Sequence, residues 1–175
     1  MERLKLVRPS MDYDDEILAL RAELLAAEDK DDFAGCGGLD DYDTTQKWLE
    51  HLDALEKGMT PLVPSTVYLA VREGDGRVVG VIDLRHHIDH PVLGLWGGHI
   101  GYSVRPSQRG NGYAGEMLRL HLENCRKRGL TRVMVTCDEK NPASERTILA
   151  NGGVFERTIS VGESRIKRYW IELQE

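Results

Sequence analysis

Residues that can move protons are concentrated in one part of the sequence, between Asp83 and His99, with His86, His87 and His90 lying between them. An imidazole has an unperturbed pKa of ~6.5 and can therefore accept a proton at neutral pH, which is the task of a general base. The histidines also fit exposed loop positions or core positions with a backbone hydrogen bond. They fit metal ligands less well, because no partner cysteine or second ligand motif accompanies them.

A glycine-rich turn, "SQRGNGYAGEM" at 107–117, stands where a helix should begin. The first N–H groups of a helix have no intrahelical partner and lie at the positive end of the helix dipole. Gly110 and Gly112 carry no Cβ, so an anion can approach this backbone closely, and Arg109 adds a positive charge. The turn therefore predicts a pyrophosphate site, or else a tight turn that needs glycine for positive φ.

Two other phosphate-binding patterns do not fit this turn. A dinucleotide-binding fingerprint needs a third glycine, and Gly115 comes one residue too late for it. That fingerprint also follows the first strand of its domain, whereas the strand before this turn is predicted to be the fourth. No Gly-Lys-Ser/Thr sequence follows the glycines, which excludes a P-loop.

Composition limits the class of protein. A chain of 175 residues with a formal net charge of -6 suits a single domain over 1–175. It argues against a broad nucleic-acid surface, which needs clustered lysine and arginine. No apolar run approaches the ~20 residues that cross a bilayer, and the N-terminus lacks a signal-peptide core. Three widely spaced cysteines favour reduced thiols. These features predict a cytoplasmic protein that binds neither nucleic acid nor a membrane.

The hydrophobic pattern predicts the element order β-α-α-β-β-β-α-β-α-β-β. Helices are expected at 10–28, 44–57, 110–128 and 141–152. Strands are expected at 4–9, 65–74, 77–87, 99–104, 131–137, 154–159 and 164–173, with loops at 29–43 and 87–98. The helix between the fourth and fifth strands makes a βαβ unit, which requires these two strands to be parallel in a mixed α/β sheet.

Two segments resemble signatures of the GNAT superfamily of N-acetyltransferases. The segment "VRPSQRGNGYAGEML" is similar to the superfamily's motif A, Q/R-x-x-G-x-G/A, through Arg109, Gly112 and Ala114. The segment "NPASERTILANGGVFE" resembles the second signature, in which an Asn opens a short helix that a Gly-Phe pair follows. Asn141 and Ser144 match it, and Phe155 follows after an extra Gly-Val. The resemblance covers most of the chain and is closest to a poorly characterised group of predicted bacterial acetyltransferases.

The resemblance implies a mixed, mostly antiparallel central sheet with a splayed parallel pair and helices on both faces. It also implies acetyl-CoA as co-substrate, with no metal. The pyrophosphate would sit on the glycine-rich turn and the pantetheine arm would pair with the fourth strand. The cofactor-binding residues implied are Tyr102, Ser103, Val104, Arg109, Gly110, Asn111, Gly112, Tyr113, Ala114, Asn141 and Ser144.

The same resemblance guides the search for catalytic residues. His99 and Asp83 are predicted to act as general bases that accept the proton of the acceptor amine. Many GNAT enzymes carry, seven residues after the Asn, a tyrosine that is taken to protonate the thiolate, but this chain has Ile148 there. Tyr169 is the predicted substitute, with Ser144 and Cys137 as alternatives. Tyr102 is a further candidate acid or a wall of the substrate site.

The predicted function is transfer of an acetyl group to a primary amine of a small molecule or peptide, by direct attack in a ternary complex. Acidic residues in the 29–43 loop favour a cationic amine, or else form a solvated loop. A non-catalytic acyl-CoA-binding module and another type of nucleotide-binding domain are the alternatives. The sequence leaves a homodimer open.

Overall fold

The computed structural model describes residues 2–28 and 33–173. The elements within these residues follow the predicted order. The strands are β1 (Leu4–Val7), β2 (Ser65–Arg72), β3 (Val78–Arg85), β4 (Tyr102–Val104), β5 (Arg132–Asp138), β6 (Val154–Val161) and β7 (Ser164–Glu172). The α-helices are α1 (Asp14–Ala26), α2 (Thr45–Glu56), α3 (Tyr113–Lys127) and α4 (Pro142–Ala150).

The strands form two antiparallel sheets, one with the order β1-β2-β3-β4 and the other with the order β5-β7-β6. β4 and β5, the two strands joined through α3, are the edges at which the sheets face each other. The sheets meet where the His99 N–H donates to the Met134 carbonyl oxygen at 2.8 Å, and beyond this bond β4 and β5 form no ladder. The predicted mixed α/β class with a splayed pair is confirmed.

Helices cover both faces of the first sheet, because alternate side chains of a strand point to opposite faces. Val81 of β3 packs in a core with α1 and α2. Its neighbour Ile82 packs in a second core with α3, α4, β5 and β7. In α3, the predicted apolar face is buried in that second core: Met117, Leu118, His121, Leu122 and Cys125.

Several predicted boundaries need correction. The first α-helix begins at Asp14, because the Ser10 hydroxyl accepts the Asp12 N–H at 3.3 Å and caps a short 3-10 turn there first. This helix ends at Ala26 and not at Glu28. The predicted loop at 87–98 contains a helical turn, Leu93–Gly97. Positions 29–32 of the predicted acidic loop lie outside the described residues.

The fourth strand is shorter than the predicted 99–104. Its regular part is Tyr102–Val104, because two side chains take the place of backbone acceptors in the preceding residues. Within the ranges described, no helix is long and apolar enough to cross a membrane.

Candidate active site

A cleft of about 1140 Å³ lies between the two sheets, where β4 and β5 separate. β4, the glycine-rich turn and the first turn of α3 line one side, and β5 and α4 line the other. Of the predicted cofactor residues, the cleft wall contains Tyr102, Ser103, Val104, Arg109, Gly110, Gly112, Tyr113, Ala114, Asn141 and Ser144. Residues that are far apart in the sequence therefore meet in one cavity.

One edge of β4 is directed into this cleft. Gly101 and Arg105 bond to β3, through the Gly101 carbonyl oxygen and the Arg105 N–H. Alternate residues of an antiparallel strand bond to the same neighbour, so the backbone N–H and C=O groups of Tyr102 and Val104 point away from β3. The Val104 carbonyl oxygen also accepts the Arg109 Nε–H at 3.4 Å. The cleft thus offers a strand edge with which an extended amide-containing ligand can pair.

The glycine-rich turn has the backbone that its sequence predicts. Gly110 and Gly112 have φ angles of 80° and 77°, in the left-handed region that glycine adopts without strain. Gly112 is the N-cap of α3, so the first N–H groups of this helix begin beside the cleft. Asn111, a predicted cofactor residue, does not line the cleft. Its side chain donates to the Gln108 carbonyl oxygen at 2.9 Å, which fixes the preceding turn.

Two positively charged side chains of the cleft were not identified from the sequence. Lys140 and Arg146 line it together with Arg109. Lys140 directly precedes the Asn that caps α4, and Arg146 lies within α4. The position of Lys140 beside the α4 signature is the signal that could have identified it. Three positive side chains that line the same cleft as the N-terminus of α3 suit a ligand with several phosphate groups.

The α4 helix begins as its sequence predicts. The Asn141 Oδ1 accepts the Ser144 N–H at 3.1 Å, and Pro142 occupies the first turn. Ile148 is fully buried in the core, so α4 presents no hydroxyl at that position.

Tyr102 reaches across the cleft from β4 to α4. Its hydroxyl and the Ser144 hydroxyl are 2.6 Å apart. Burial raises the pKa of Tyr102 to about 12, so the phenol keeps its proton at neutral pH.

The two predicted bases lie close to the point where the two sheets meet. The Asp83 Oδ1 accepts the Gly101 N–H at 2.7 Å, and its other oxygen pairs with Arg85 at 3.1 Å. The His99 Nδ1 accepts the Met134 N–H at 2.9 Å. Each side chain thus accepts a hydrogen bond from a backbone N–H that would donate to a backbone carbonyl oxygen in a regular sheet. Both are buried, and neither lines the cofactor cleft.

Burial shifts the pKa values of these two groups in opposite directions, because it disfavours the charged form of each. It lowers the pKa of His99 to about 4, with the charges of Arg85 and Arg132 acting in the same direction. It raises the pKa of Asp83, and Arg85 and the Gly101 N–H partly oppose that rise. At neutral pH, His99 is therefore an uncharged acceptor of a backbone hydrogen bond.

Tyr169 lies in the middle strand of the second sheet and does not line the cleft. Its hydroxyl donates to Glu145 of α4, and Lys167 pairs with the same carboxylate oxygen at 2.7 Å. Burial and the Glu145 carboxylate raise the pKa of Tyr169. The catalytic role assigned to Tyr169 stays a prediction, and the geometry directs its proton to Glu145.

The loop 33–38 closes the cleft at its β4 end. The Ser103 hydroxyl donates to the Ala34 carbonyl oxygen at 2.7 Å, so this predicted cofactor residue holds the loop. Gly35 packs so closely on the strand that an added Cβ would lie 2.0 Å from the Gly101 oxygen. A second cavity, of about 390 Å³, lies against this loop, and Ala34 lines both cavities.

The second cavity combines apolar walls with a few polar groups. Leu55, Leu62 and Leu93 supply apolar surface, while Asp41 and His51 supply polar groups. Arg85 also lines it, but its guanidinium donates to the carbonyl oxygens of Gly97 and Gly98 and pairs with Asp83.

The structure supplies no group of three potential ligands for a metal ion among the residues it describes. Cys36, Cys125 and Cys137 are free thiols, as the sequence predicts. Cys137 lines the cleft, and burial raises its pKa to about 11.

The model of the GNAT acetyltransferase domain matches residues 3–154 of this sequence. The chain therefore belongs to the GNAT family of acetyltransferases, as the two signatures indicated. A search of curated protein sequences found no match.

Solved structures show the same fold. A Bordetella pertussis protein described as a GNAT-family acetyltransferase is 18% identical, with a TM-score of 0.66, over 98% of this chain and 96% of its own. The microcin C7 self-immunity acetyltransferase MccE, in complex with acetyl-CoA and AMP, is 15% identical, with a TM-score of 0.67, over 98% and 93%. The Salmonella typhimurium protein yncA, with its cofactor acetyl-CoA, is 14% identical, with a TM-score of 0.65, over 98% and 95%.

Proposed function

We propose that this protein transfers an acetyl group from acetyl-CoA to a primary amine of a small molecule or peptide, by direct attack in a ternary complex. The observation that carries the proposal is the cleft, where a strand edge, a glycine-capped helix start and three cationic side chains meet. Its volume of about 1140 Å³ suits a long ligand, since ligand cavities commonly range over ~300–1,000 Å³. The acetyl-CoA complexes of MccE and yncA support the choice of donor.

The cleft divides the binding of acetyl-CoA among three kinds of group. The first N–H groups of α3, behind Gly112, bind the pyrophosphate. Arg109, Lys140 and Arg146 add positive charge for the phosphates. The edge of β4, at Tyr102 and Val104, pairs with the amides of the pantetheine arm, which leads the thioester toward the 33–38 loop.

The acceptor amine approaches from the second cavity. Ala34 lines both cavities, and Gly35 lies against Gly101, so the two cavities adjoin at the 33–38 loop, beside the β4 end of the cleft. Asp41 carries a negative charge in this cavity, while the Arg85 charge is balanced by Asp83. This arrangement favours a cationic amine over one that carries a carboxylate.

The chemistry needs few side chains. The neutral amine nitrogen forms a bond to the thioester carbon, and the C–S bond breaks with its electrons on sulfur. The β4 N–H groups that point into the cleft stabilise the oxyanion, and alignment of amine and thioester supplies much of the rate. His99 and Asp83 stay the predicted acceptors of the amine proton. Each already accepts a backbone N–H, so proton transfer to Nδ1 or Oδ1 requires that bond to break.

A thiol-release screen tests the proposal. The protein and acetyl-CoA are mixed with simple amines, polyamines, aminoglycosides and peptides with free N-termini, and release of CoA is followed with a thiol reagent. We expect release that depends on one class of amine. Saturable binding of acetyl-CoA with no release for any amine would instead favour the acyl-CoA-binding module, an alternative that the committed hydrogen bonds of His99, Asp83 and Tyr169 support. Binding of NAD or ATP in place of acetyl-CoA would contradict both.

A further inference from the structure

The Tyr102 phenol stands where three elements of the cleft meet. It extends from β4, its oxygen bonds to Ser144 of α4 at 2.6 Å, and Thr147 of α4 and Cys137 of β5 are the other neighbours that affect its ionisation. All four residues line the cleft. An extended ligand that lies in the cleft between β4 and β5 therefore passes close to this hydroxyl.

Among the hydroxyl side chains of β4, β5 and α4, the hydrogen bonds leave one pair with a spare proton. β4, β5 and α4 carry five hydroxyl side chains. Three of them donate to backbone carbonyls: Ser103 to Ala34, Thr136 to Trp96 and Thr147 to Ala143. The other two, Tyr102 and Ser144, bond to each other. Two hydroxyls that share one hydrogen bond use one of their two protons, so the second remains available for a ligand.

We propose that the Tyr102 hydroxyl donates a hydrogen bond to the departing thiolate of CoA, while Ser144 donates to the phenol oxygen. This inference rests on the proposed function. It adds a catalytic residue that substitutes for the hydroxyl absent at Ile148. Ser144 lies one helical turn before Ile148, so the Tyr102 oxygen contacts α4 on the face to which residue 148 belongs.

The step requires no transfer of the phenol proton. As the C–S bond breaks, its electron pair passes to sulfur, and the Tyr102 O–H stabilises that charge by a charge-assisted hydrogen bond. Because burial raises the pKa of Tyr102 to about 12, the phenol is a weaker acid than an alkyl thiol, whose pKa is ~8.5. The thiolate therefore leaves as an anion and takes its proton from water afterwards.

The test measures the thiol of bound CoA and needs no acceptor amine. The ultraviolet absorbance of the thiolate is titrated with CoA on the enzyme, against a blank with desulfo-CoA. Burial raises the pKa of Cys36 and Cys125 to about 12 and of Cys137 to about 11, so thiolate formed below these values belongs to CoA. We expect Tyr102→Phe to raise the pKa of the bound thiol by about one, a tenfold loss of thiolate stabilisation.

Tyr68→Phe is the matched control. Tyr68 lies in β2, its ring packs against Arg8 and His121, and it does not line the cleft. We expect the pKa of the bound thiol to be the same in this variant and in the parent. Ser144→Ala should raise that pKa in the same direction as Tyr102→Phe, by less, because it weakens the phenol as a donor. If Tyr102→Phe does not fold, the pKa of the bound thiol in Ser144→Ala tests the inference in its place.

Three results have distinct meanings. An equal pKa for the bound thiol in the parent and in Tyr102→Phe, with both proteins folded, overturns this inference and leaves the proposed function intact. A change in Tyr169→Phe, and not in Tyr102→Phe, assigns the role to Tyr169 and overturns it as well. A parent that binds no CoA contradicts the proposed function itself. Once an acceptor is found, kcat should fall about tenfold in Tyr102→Phe with an unchanged KM for acetyl-CoA.

Discussion

Protonation of His99 should destabilise the fold in mild acid. An unfolded histidine titrates near ~6.5, whereas the pKa of folded His99 is about 4, because burial disfavours its charge and Arg85 and Arg132 repel it. Between these values the unfolded state binds a proton that the folded state does not. The stability that neutral His99 contributes is therefore complete above the unfolded pKa and falls as the pH drops toward the folded value.

The size of the effect follows from those two pKa values. Lowering the pH from 7 to 5 should reduce the free energy of unfolding by about 2 kcal/mol through His99 alone. His121, whose Nε2 lies 2.9 Å from the Asp83 carbonyl oxygen and whose pKa burial lowers to about 4, acts in the same direction. Asp83 acts in the opposite direction, because its raised pKa lets the folded state take up a proton first.

A comparison of variants isolates His99, since His121 and Asp83 are present in each protein. Urea unfolding is measured at pH 7 and pH 5 for the parent and for His99→Asn, with His90→Asn as the control because His90 is exposed and does not affect the ionisation of His99. We expect His99→Asn to lose about 2 kcal/mol less than the parent between these pH values, and His90→Asn to match the parent. An equal loss in the parent and in His99→Asn would refute the assignment of His99 as a neutral, buried acceptor.

Two further predictions concern the loop and the cations of the cleft. Gly35→Ala places a Cβ about 2.0 Å from the Gly101 oxygen and should lower the free energy of unfolding by at least ~2 kcal/mol in urea titrations. Gly76→Ala, with the same φ of 72° and open space around it, should cost less, and equal costs would contradict the close packing. Lys140→Ala should weaken acetyl-CoA about tenfold at low salt and by less at high salt. Lys127→Ala, at the far end of α3, should leave the acetyl-CoA affinity unchanged. Equal acetyl-CoA affinities of Lys140→Ala and Lys127→Ala by calorimetry would exclude Lys140 from the site.

Local signals explain what the sequence could predict. Asn141 acts on a backbone group three residues away, so its role as the cap of α4 follows from its neighbours in the chain. The same holds for the hairpin between β2 and β3. The third helix was predicted from residue 110, whereas it begins at Tyr113, after the Gly112 N-cap. Lys140, which sequence reasoning missed, lies directly before the Asn141 signature, but its role depends on the cleft that it borders, which only the fold creates.

The candidate site residues depend on partners that are distant in the sequence. The acceptors and donors of Asp83, His99, Ser103 and Tyr169 lie 18, 35, 69 and 24 residues away, respectively. No periodicity or motif encodes such pairs. The chemical type of His99 indicated a base, whereas the fold uses its ring nitrogen as a backbone acceptor.

A calorimetric titration with acetyl-CoA tests the central claim most directly. The parent protein should bind one acetyl-CoA per chain. Gly112→Val should weaken that binding at least tenfold, about 1.4 kcal/mol, because a branched side chain then stands where the pyrophosphate approaches α3. Gly129→Val is the matched control, since Gly129 also has a positive φ, of 89°, but follows the opposite end of α3. Equal acetyl-CoA affinities in the folded parent, Gly112→Val and Gly129→Val proteins would contradict a pyrophosphate site at the glycine-rich turn.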